Sequence, residues 1–262
     1  MVVRLNTPRR SRRPESSFRQ CSRAGPYVLE GGFAVVFLDR LDAGQRLGER
    51  LSSLRGPDIV VLGLPRGGVP VAFEVARVLR APLDVLVVRK LGVPFQPELA
   101  MGAIGEDGAL VLNHEVMQQI QISRSKFVAI EQRERAELES QATRYRNGYP
   151  RISLVGRTAV VVDDGIATGS TARAACRVAR AQHAARVVLA VPVAPPSSAA
   201  ELVRHVDELV CLRVPDRFRA VGWWYRDFSP ATDIEVIALL REAADEVARA
   251  SASDERPPDP GS

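Results

Sequence analysis

The chain has few cysteines and no long apolar stretch, and each shortage excludes a class of protein. Its 262 residues include three cysteines, Cys21, Cys176 and Cys211. Their odd number and wide separation exclude a disulfide scaffold or zinc module and favour thiols that fill a core in a reducing compartment. No uninterrupted apolar segment approaches the ~20 residues that cross a bilayer, and the N-terminus lacks the apolar core of a secretory signal. We therefore expect a cytoplasmic protein without a membrane partner.

The positive charge of the chain is concentrated at one end. The net charge is +5, yet residues 1–24 hold seven arginines and one acidic residue, so that this segment carries +6 and the remainder about −1. A basic segment can attract nucleic acid, but such a segment is more often a disordered tail or the result of a start codon assigned too far upstream. We do not expect a nucleic acid partner. We predict a disordered basic tail over 1–30, one domain over 31–250 and a disordered tail over 251–262.

Strand-like and helix-like blocks alternate along the domain. This alternation predicts an α/β fold with a parallel sheet and right-handed crossovers. Two capping boxes, one at Asp42 with Gln45 and one at Thr232 with Glu235, predict the starts of the first and last helices. The predicted strands are 58–64, 85–89, a strand ending at Val162, 186–191 and 208–214. The predicted helices are 43–55, 68–79, 123–146, one ending near 182, 197–205 and 232–250, with a hairpin at 101–112.

The most informative segment reads VVVDDGIATGST, from Val160 to Thr171. Four apolar residues predict a strand buried on both faces, which places Asp163 and Asp164 at its carboxyl end, where open α/β sheets bind ligands. A loop of small and hydroxyl-bearing residues then opens a helix, where backbone N–H groups and the helix dipole favour an anion. The candidate phosphate-binding residues are Ala167, Thr168, Gly169, Ser170 and Thr171.

Two common nucleotide motifs are absent from this segment, and a third is present. The segment has no lysine, as a Walker loop requires, and no GxGxxG dinucleotide fingerprint. Two carboxylates, three residues and Thr-Gly-x-Thr resemble the phosphoribosyl-pyrophosphate (PRPP) signature of type I phosphoribosyltransferases. The likeness to bacterial stand-alone proteins of this family runs from about Phe33 to Leu240. It implies a Rossmann-like parallel sheet flanked by helices, with an enlarged loop and helical insertion at 91–157 and a small C-terminal or insertion-derived hood.

The resemblance also implies roles for particular residues. Asp163 and Asp164 would be catalytic, binding the ribose hydroxyls of PRPP and reaching Mg²⁺ through water or those hydroxyls, while residues 167–171 hold the 5′-phosphate. The turn GLPRGG, at 63–68, sits where this family binds pyrophosphate, often with a non-proline cis peptide. The candidate pyrophosphate-binding residues are Arg66, Gly67, Gly68, Arg89 and Lys90, with the last two placed at the carboxyl end of the second strand.

Acceptor recognition is the least defined part of the sequence. The segment 216–233 is the richest in aromatic residues, and Trp223, Trp224 and Tyr225 could stack on a planar acceptor. A packed cover over the sheet edge explains the same rings equally well. Glu98 and Glu106, in the insertion, are candidate acid or metal-contact groups, with solvated carboxylates as the alternative.

These observations predict a phosphoribosyltransferase that uses PRPP and Mg²⁺, transfers phosphoribose to a small acceptor, expected to be a nucleobase, and releases pyrophosphate. A homodimer is a candidate assembly. The alternative is a non-catalytic regulatory protein that binds PRPP or a nucleotide with the same fold. A hydrolase that uses water as the acceptor is a third hypothesis, although none of His114, His183 and His205 belongs to a recognisable relay.

Overall fold

A five-stranded parallel sheet forms the centre of the fold. The computed structural model describes residues 27–28, 34–35, 37–56, 58–94, 96–120 and 122–254. The predicted basic segment 1–24 and residues 255–262 of the predicted C-terminal tail lie outside these ranges. The strands are β1 (Tyr27–Val28), β2 (Ala34–Val35), β3 (Ile59–Gly63), β4 (Leu83–Val85), β5 (Val88–Val93), β6 (Gln96–Gly105), β7 (Leu110–Leu112), β8 (Thr158–Val162), β9 (Arg186–Val193) and β10 (Glu208–Arg213).

Helices connect and cover the strands. They are α1 (Arg40–Arg50), α2 (Gly68–Leu79), α3 (His114–Gln119), α4 (Arg124–Arg146), α5 (Ser170–Ala181), α6 (Pro196–Leu202) and α7 (Asp233–Asp254). Short 3₁₀ turns lie at Ser52–Leu54, Val203–His205 and Val221–Trp224. None of the helices in the described ranges combines the length and the apolar character that a bilayer crossing demands.

The two motif-bearing strands are neighbours in the sheet. The strand order is β10-β9-β8-β3-β4, with parallel pairing throughout. All five residues of β3 are buried, as are the last four of β8. Side chains alternate between two apolar clusters, one containing α1, α2 and α7 residues and the other α5 and α6 residues. This burial on both faces confirms the predicted parallel sheet flanked by helices.

The insertion forms a second, antiparallel sheet and a long helix. Strands β5, β6 and β7 pair in that order, and the β6–β7 turn carries positive φ angles at Asp107 (55°) and Gly108 (72°), which confirms the predicted hairpin. Helix α4 begins after the N-cap Ser123, as predicted, and ends at Asn147 with a φ of 46°. A buried guanidinium anchors its end, because Arg146 donates to Asp84 at 2.9 Å beside β4.

Three predicted boundaries are corrected by the structure. The predicted strand 85–89 is two strands, because the chain leaves the main sheet after Val85 and enters the antiparallel sheet at Val88. Helix α1 begins at Arg40 with Asp39 as its N-cap, so the predicted capping box at Asp42 lies inside the first turn. The last helix has the predicted Thr232 cap but continues to Asp254, so residues 251–254 of the predicted disordered tail are helical.

Burial of the two described cysteines predicts that both are chemically inert in the folded protein. Burial raises the pKa of Cys176 to about 12, and that of Cys211 to about 12, so that little thiolate is present at pH 8. In a Cys21→Ser variant, iodoacetamide at pH 8 should leave the native protein unlabelled and modify both remaining cysteines after denaturation. Rapid modification of the native protein, followed by mass spectrometry, would contradict this packing.

Candidate functional site

Asp163 and Asp164 lie directly after β8, at the carboxyl edge of the sheet. Asp163 Oδ1 accepts a hydrogen bond from the Asp164 amide at 2.9 Å, and Asp164 Oδ2 accepts one from Arg40 Nε at 2.9 Å. Burial raises the pKa of the Asp163 carboxyl well above its ordinary value, and the charge of Asp164 raises it further. Burial also raises the pKa of Asp164, against the opposing effect of Arg40. The pair is therefore a site at which added positive charge stabilises both carboxylates.

This carboxylate pair fits Mg²⁺ as a ligand set. Carboxylate oxygens are the protein ligands that Mg²⁺ prefers, usually one or two of them together with water and substrate phosphates. In the ranges that the structure describes, no three His, Cys, Asp or Glu side chains cluster to enclose a metal by themselves. A cation at Asp163 and Asp164 would therefore need further oxygen ligands of another kind, such as water or substrate phosphates.

The hydroxyl-rich loop lies beside the aspartates and opens α5. Gly169 has a φ of 75°, and its carbonyl accepts the Arg173 amide in the first helical turn at 2.9 Å. The Ser198 hydroxyl donates to the Ala167 carbonyl at 2.7 Å, which holds the loop against α6. The side chains of Thr168 and Thr171 are exposed. The loop is thus fixed at its base while its hydroxyl groups face solvent, as an anion-binding loop requires.

Lys90 reaches this loop from the second sheet. Its Nζ lies 3.2 Å from Ser170 Oγ, whereas the neighbouring Arg89 pairs with Glu134 of α4 at 2.9 Å. Successive side chains of a strand point to opposite faces, so β5 directs the two cations to different places. The prediction that both end the second strand of the main sheet is wrong, because that strand ends at Val85. Of the two, only Lys90 contacts the hydroxyl-rich loop.

The glycine turn packs directly against the aspartates. A Cβ atom on Gly67 would lie 2.0 Å from Asp164 Oδ2, and one on Gly68 would lie 2.6 Å from the Val162 carbonyl oxygen and 2.9 Å from Asp163 Cα. These separations are shorter than real Cβ contacts allow, so only glycine permits this approach. The peptide bond between Pro65 and Arg66 is cis, the feature that the family resemblance led us to expect in this turn. The two predicted motifs therefore form one site.

A pocket of about 330 Å³ is lined in part by Pro65 and Arg66 of the glycine turn. We call it the arginine pocket; its lining residues are Pro65, Arg66, Arg89, Glu137, Gln141, Arg144, Tyr145 and Asp233. It collects Arg66 and Arg89, two of the predicted pyrophosphate-binding residues, and adds Arg144 from α4. Sequence reasoning missed Arg144, because a charged residue near the end of a long polar helix has no local signal that distinguishes it from solvated neighbours.

The aromatic segment, residues 216–233, forms a cover beside Asp164, and its buried rings pack against other aromatic rings. Tyr225 is 4% exposed, its ring centroid lies 5.3 Å from that of Phe37, and its hydroxyl donates to the Asp164 carbonyl at 2.6 Å. The predicted stacking of Tyr225 on an acceptor is corrected by this burial, because its faces are already occupied. Trp224 is half-buried and its Nε1 has no hydrogen-bond partner among the described residues, while Trp223 is exposed and lies beside Arg219.

Arg40 joins the cover to the aspartates, and the sequence did not reveal it. Its guanidinium stacks 4.0 Å above the Phe228 ring, donates to the Ser229 carbonyl at 2.7 Å and pairs with Asp164. The signal would have been weak, since Arg40 follows the N-cap of an ordinary amphipathic helix. Glu106 has a structural partner instead of a catalytic one, because Arg146 Nη2 donates to it at 3.0 Å. The side chain of Glu98 lies outside the described residues.

Comparisons with known proteins agree with this architecture. The profile of a family described as "Phosphoribosyl transferase domain" matches residues 106–224. Two proteins named "Putative phosphoribosyl transferase", from Mycobacterium tuberculosis strains CDC 1551 / Oshkosh and ATCC 25618 / H37Rv, are each 57% identical over 219 residues, covering 84% of this chain. The crystal structure of TT1426 from Thermus thermophilus is 46% identical with a TM-score of 0.74, and the match covers 79% of this chain and 98% of that one.

The parallel sheet, the paired aspartates and the glycine turn define a type I phosphoribosyltransferase fold. The chain belongs to the phosphoribosyltransferase family, as its aspartate motif predicted. It spans about half the length of the Mycobacterium tuberculosis relatives, because the match covers 49% of each.

The packing of the glycine turn predicts a steep cost for one added methyl group at Gly68. We expect Gly68→Ala to lower the free energy of unfolding by about 1–3 kcal/mol, since the methyl group collides with backbone atoms that cannot move independently. Gly56→Ala is the matched control, because there an added Cβ meets no atom closer than 4.0 Å. Urea denaturation of both variants measures the difference. Equal stabilities for the two variants would contradict the close approach.

Proposed function

We propose that this protein transfers the 5-phosphoribosyl group of PRPP to a nitrogen of a small acceptor, expected to be a nucleobase, and releases pyrophosphate. The observation that carries the proposal is the contact between the glycine turn and the aspartates, because it brings a candidate pyrophosphate site next to a candidate ribose and phosphate site. The reaction forms a bond from C1 of the ribose to the acceptor nitrogen. The bond from C1 to the pyrophosphate oxygen breaks, its electrons leave with the pyrophosphate, and the proton that the acceptor nitrogen loses passes to solvent.

The carboxylates of Asp163 and Asp164 would bind the two ribose hydroxyls. Their negative charge also stabilises the positive charge that develops on the sugar as pyrophosphate departs. Asp163 and Asp164 would also hold Mg²⁺, through water or the ribose hydroxyls, and the ion would supply positive charge that neutralises the diphosphate. Arg40 would hold Asp164 in position, because its other contacts, to Phe228 and Ser229, fix the guanidinium from the side of the cover.

The phosphate groups of PRPP would lie on either side of this pair. Residues 167–171 would bind the 5′-phosphate with backbone amides and hydroxyls, and Lys90 would add a charge at Ser170. On the opposite side, the backbone of Gly67 and Gly68 would approach the pyrophosphate, with Arg66 leading toward the arginine pocket. We further propose that the reaction takes place in the cytoplasm, with a homodimer as the candidate assembly.

The acceptor would enter beside the cover that packs over Asp164. Because Tyr225 is buried, an acceptor would meet the cover at Trp223, which is exposed, and at Trp224, which is half-buried. The unpaired Nε1 of Trp224 is a buried donor that an acceptor oxygen or nitrogen could satisfy after a small opening of the cover. This supports a planar, hydrogen-bonding acceptor such as a nucleobase.

Removing both charges of the aspartate pair should abolish most of the transfer. Each charge-assisted hydrogen bond contributes roughly 1.5–3 kcal/mol, so Asp163→Asn with Asp164→Asn should slow pyrophosphate release at least about a hundredfold. The assay contains PRPP, Mg²⁺ and a panel of purines, pyrimidines and other amines. Asp245→Asn, on the exposed face of α7, is the control and should retain full activity.

The same assay separates the proposed enzyme from the regulatory alternative. Release of pyrophosphate with one acceptor identifies the substrate and supports the transferase. Binding of PRPP by calorimetry without release for any acceptor would favour a PRPP-binding regulator. Full turnover by the double variant would refute the assignment of Asp163 and Asp164, whichever acceptor is used.

A further inference from the structure

The carboxylate of Asp233 lies in the arginine pocket. Its Oδ2 accepts from Arg144 Nη1 at 2.9 Å, its Oδ1 accepts from the Tyr145 hydroxyl at 3.1 Å, and Arg66 Nη1 lies 3.9 Å from Oδ1. The hydrogen bond from Arg144 lowers the pKa of the Asp233 carboxyl, so it is ionised at neutral pH. Two guanidinium groups thus surround a carboxylate in the way that they would surround phosphate oxygens.

The two arginines are held loosely enough to change partner. The side chains of Arg66 and Arg144 are 55% and 56% exposed, and ion pairs at such exposure contribute little to stability. Tyr145, by contrast, is buried and keeps its hydroxyl at the base of the pocket, where Gln141 Nε2 donates to it at 3.2 Å. A ligand with several negative charges could therefore replace the carboxylate of Asp233 without rebuilding the pocket.

The other charges in the pocket define what it can accept. Arg89 brings a third guanidinium, but Glu134 of α4 holds it at 2.9 Å. Glu137 is exposed at the rim and opposes an anion there. The positive charge is therefore concentrated at Arg66 and Arg144, the two guanidinium groups around Asp233, and a volume of about 330 Å³ favours a compact polyanion over a long one.

We propose that Asp233 is an internal competitor for pyrophosphate, and that Arg144 on the insertion helix is a pyrophosphate-binding residue. This inference rests on the proposed function, which supplies pyrophosphate as the product. When pyrophosphate moves from the backbone of Gly67 and Gly68 toward the Arg66 guanidinium, its oxygens take the place of the Asp233 carboxylate at Arg66 and Arg144. When Asp233 returns to the arginines, it favours release of the product.

The competition lowers the apparent affinity for pyrophosphate in a predictable way. A ligand that binds only the open pocket has its affinity reduced by the fraction of molecules in which Asp233 has released the arginines. A variant that cannot form the ion pair should therefore bind pyrophosphate more tightly than the wild-type protein, and product release should slow by a similar factor.

The test is calorimetric titration of the full chain with inorganic pyrophosphate, in the absence of PRPP and acceptor. We expect Asp233→Asn to lower the dissociation constant by roughly fivefold or more. Glu235→Gln is the matched control, because it removes an equal charge from the same helical turn and is exposed to solvent. That control should change the dissociation constant less than about twofold, since an exposed charge at this distance is screened.

A second variant tests whether the effect passes through Arg144. Arg144→Gln should weaken pyrophosphate binding by about tenfold, the value of one charge-assisted contact. In the Arg144→Gln background, Asp233→Asn should increase the affinity for pyrophosphate by a smaller factor than in the wild-type protein. The difference between the two factors measures the coupling of the two residues. Thermal unfolding of each variant checks its folding; a misfolded Asp233→Asn leaves Arg144→Gln as an independent test.

The outcomes separate this inference from the proposed function. Equal or weaker pyrophosphate binding by Asp233→Asn than by Glu235→Gln would overturn the internal competitor, even if PRPP turnover is normal. Failure of every protein to bind pyrophosphate would overturn it as well. Tighter binding by Asp233→Asn, together with absence of turnover for any acceptor, would support the competitor and remove only the proposed transfer reaction.

Discussion

The close approach of the glycine turn to the aspartate pair is the contact on which the rest of the site depends. Gly67 and Gly68 lie so near Asp164 and Asp163 that a single added carbon has no space. Neighbouring parallel strands β3 and β8 create this approach, because their carboxyl ends release the two loops side by side at one edge. Burial in turn raises the pKa of both carboxyls, so that a nearby positive charge would stabilise their ionised forms.

The insertion contributes to the site as well as to the size of the protein. Strand β5 directs Lys90 to the hydroxyl-rich loop and Arg89 to the opposite side, while α4 supplies Arg144 and Tyr145 to the arginine pocket. The buried Arg146, held by Asp84 and Glu106, fixes the end of α4 to the main sheet. An ion pair that is this well buried contributes most by setting where the helix ends, because the desolvation of its charges offsets much of their attraction.

The cover that packs over Asp164 is connected to it through two contacts. Tyr225 bonds to the Asp164 backbone, and Arg40 bonds to its side chain while stacking on Phe228. Displacement of the cover by an acceptor would therefore change two separate contacts of Asp164. The rings that aromatic content alone suggested for stacking are divided by the fold, with Tyr225 packed inside and Trp223 left at the surface.

The sequence by itself determined the alternating elements, the aspartate motif, the glycine turn and the family, because each depends on residues that are close together in the chain. It also predicted α2, the hairpin and α4 with nearly the observed limits. Only the tertiary structure decided which distant side chains meet. Arg40, Arg144 and Asp233 come from three separate helices. Arg89 and Lys90 are adjacent in β5 but reach different partners, because their side chains point to opposite faces of the strand. Such contacts depend on how the packed helices and strands are oriented relative to one another, and local sequence patterns do not predict that orientation.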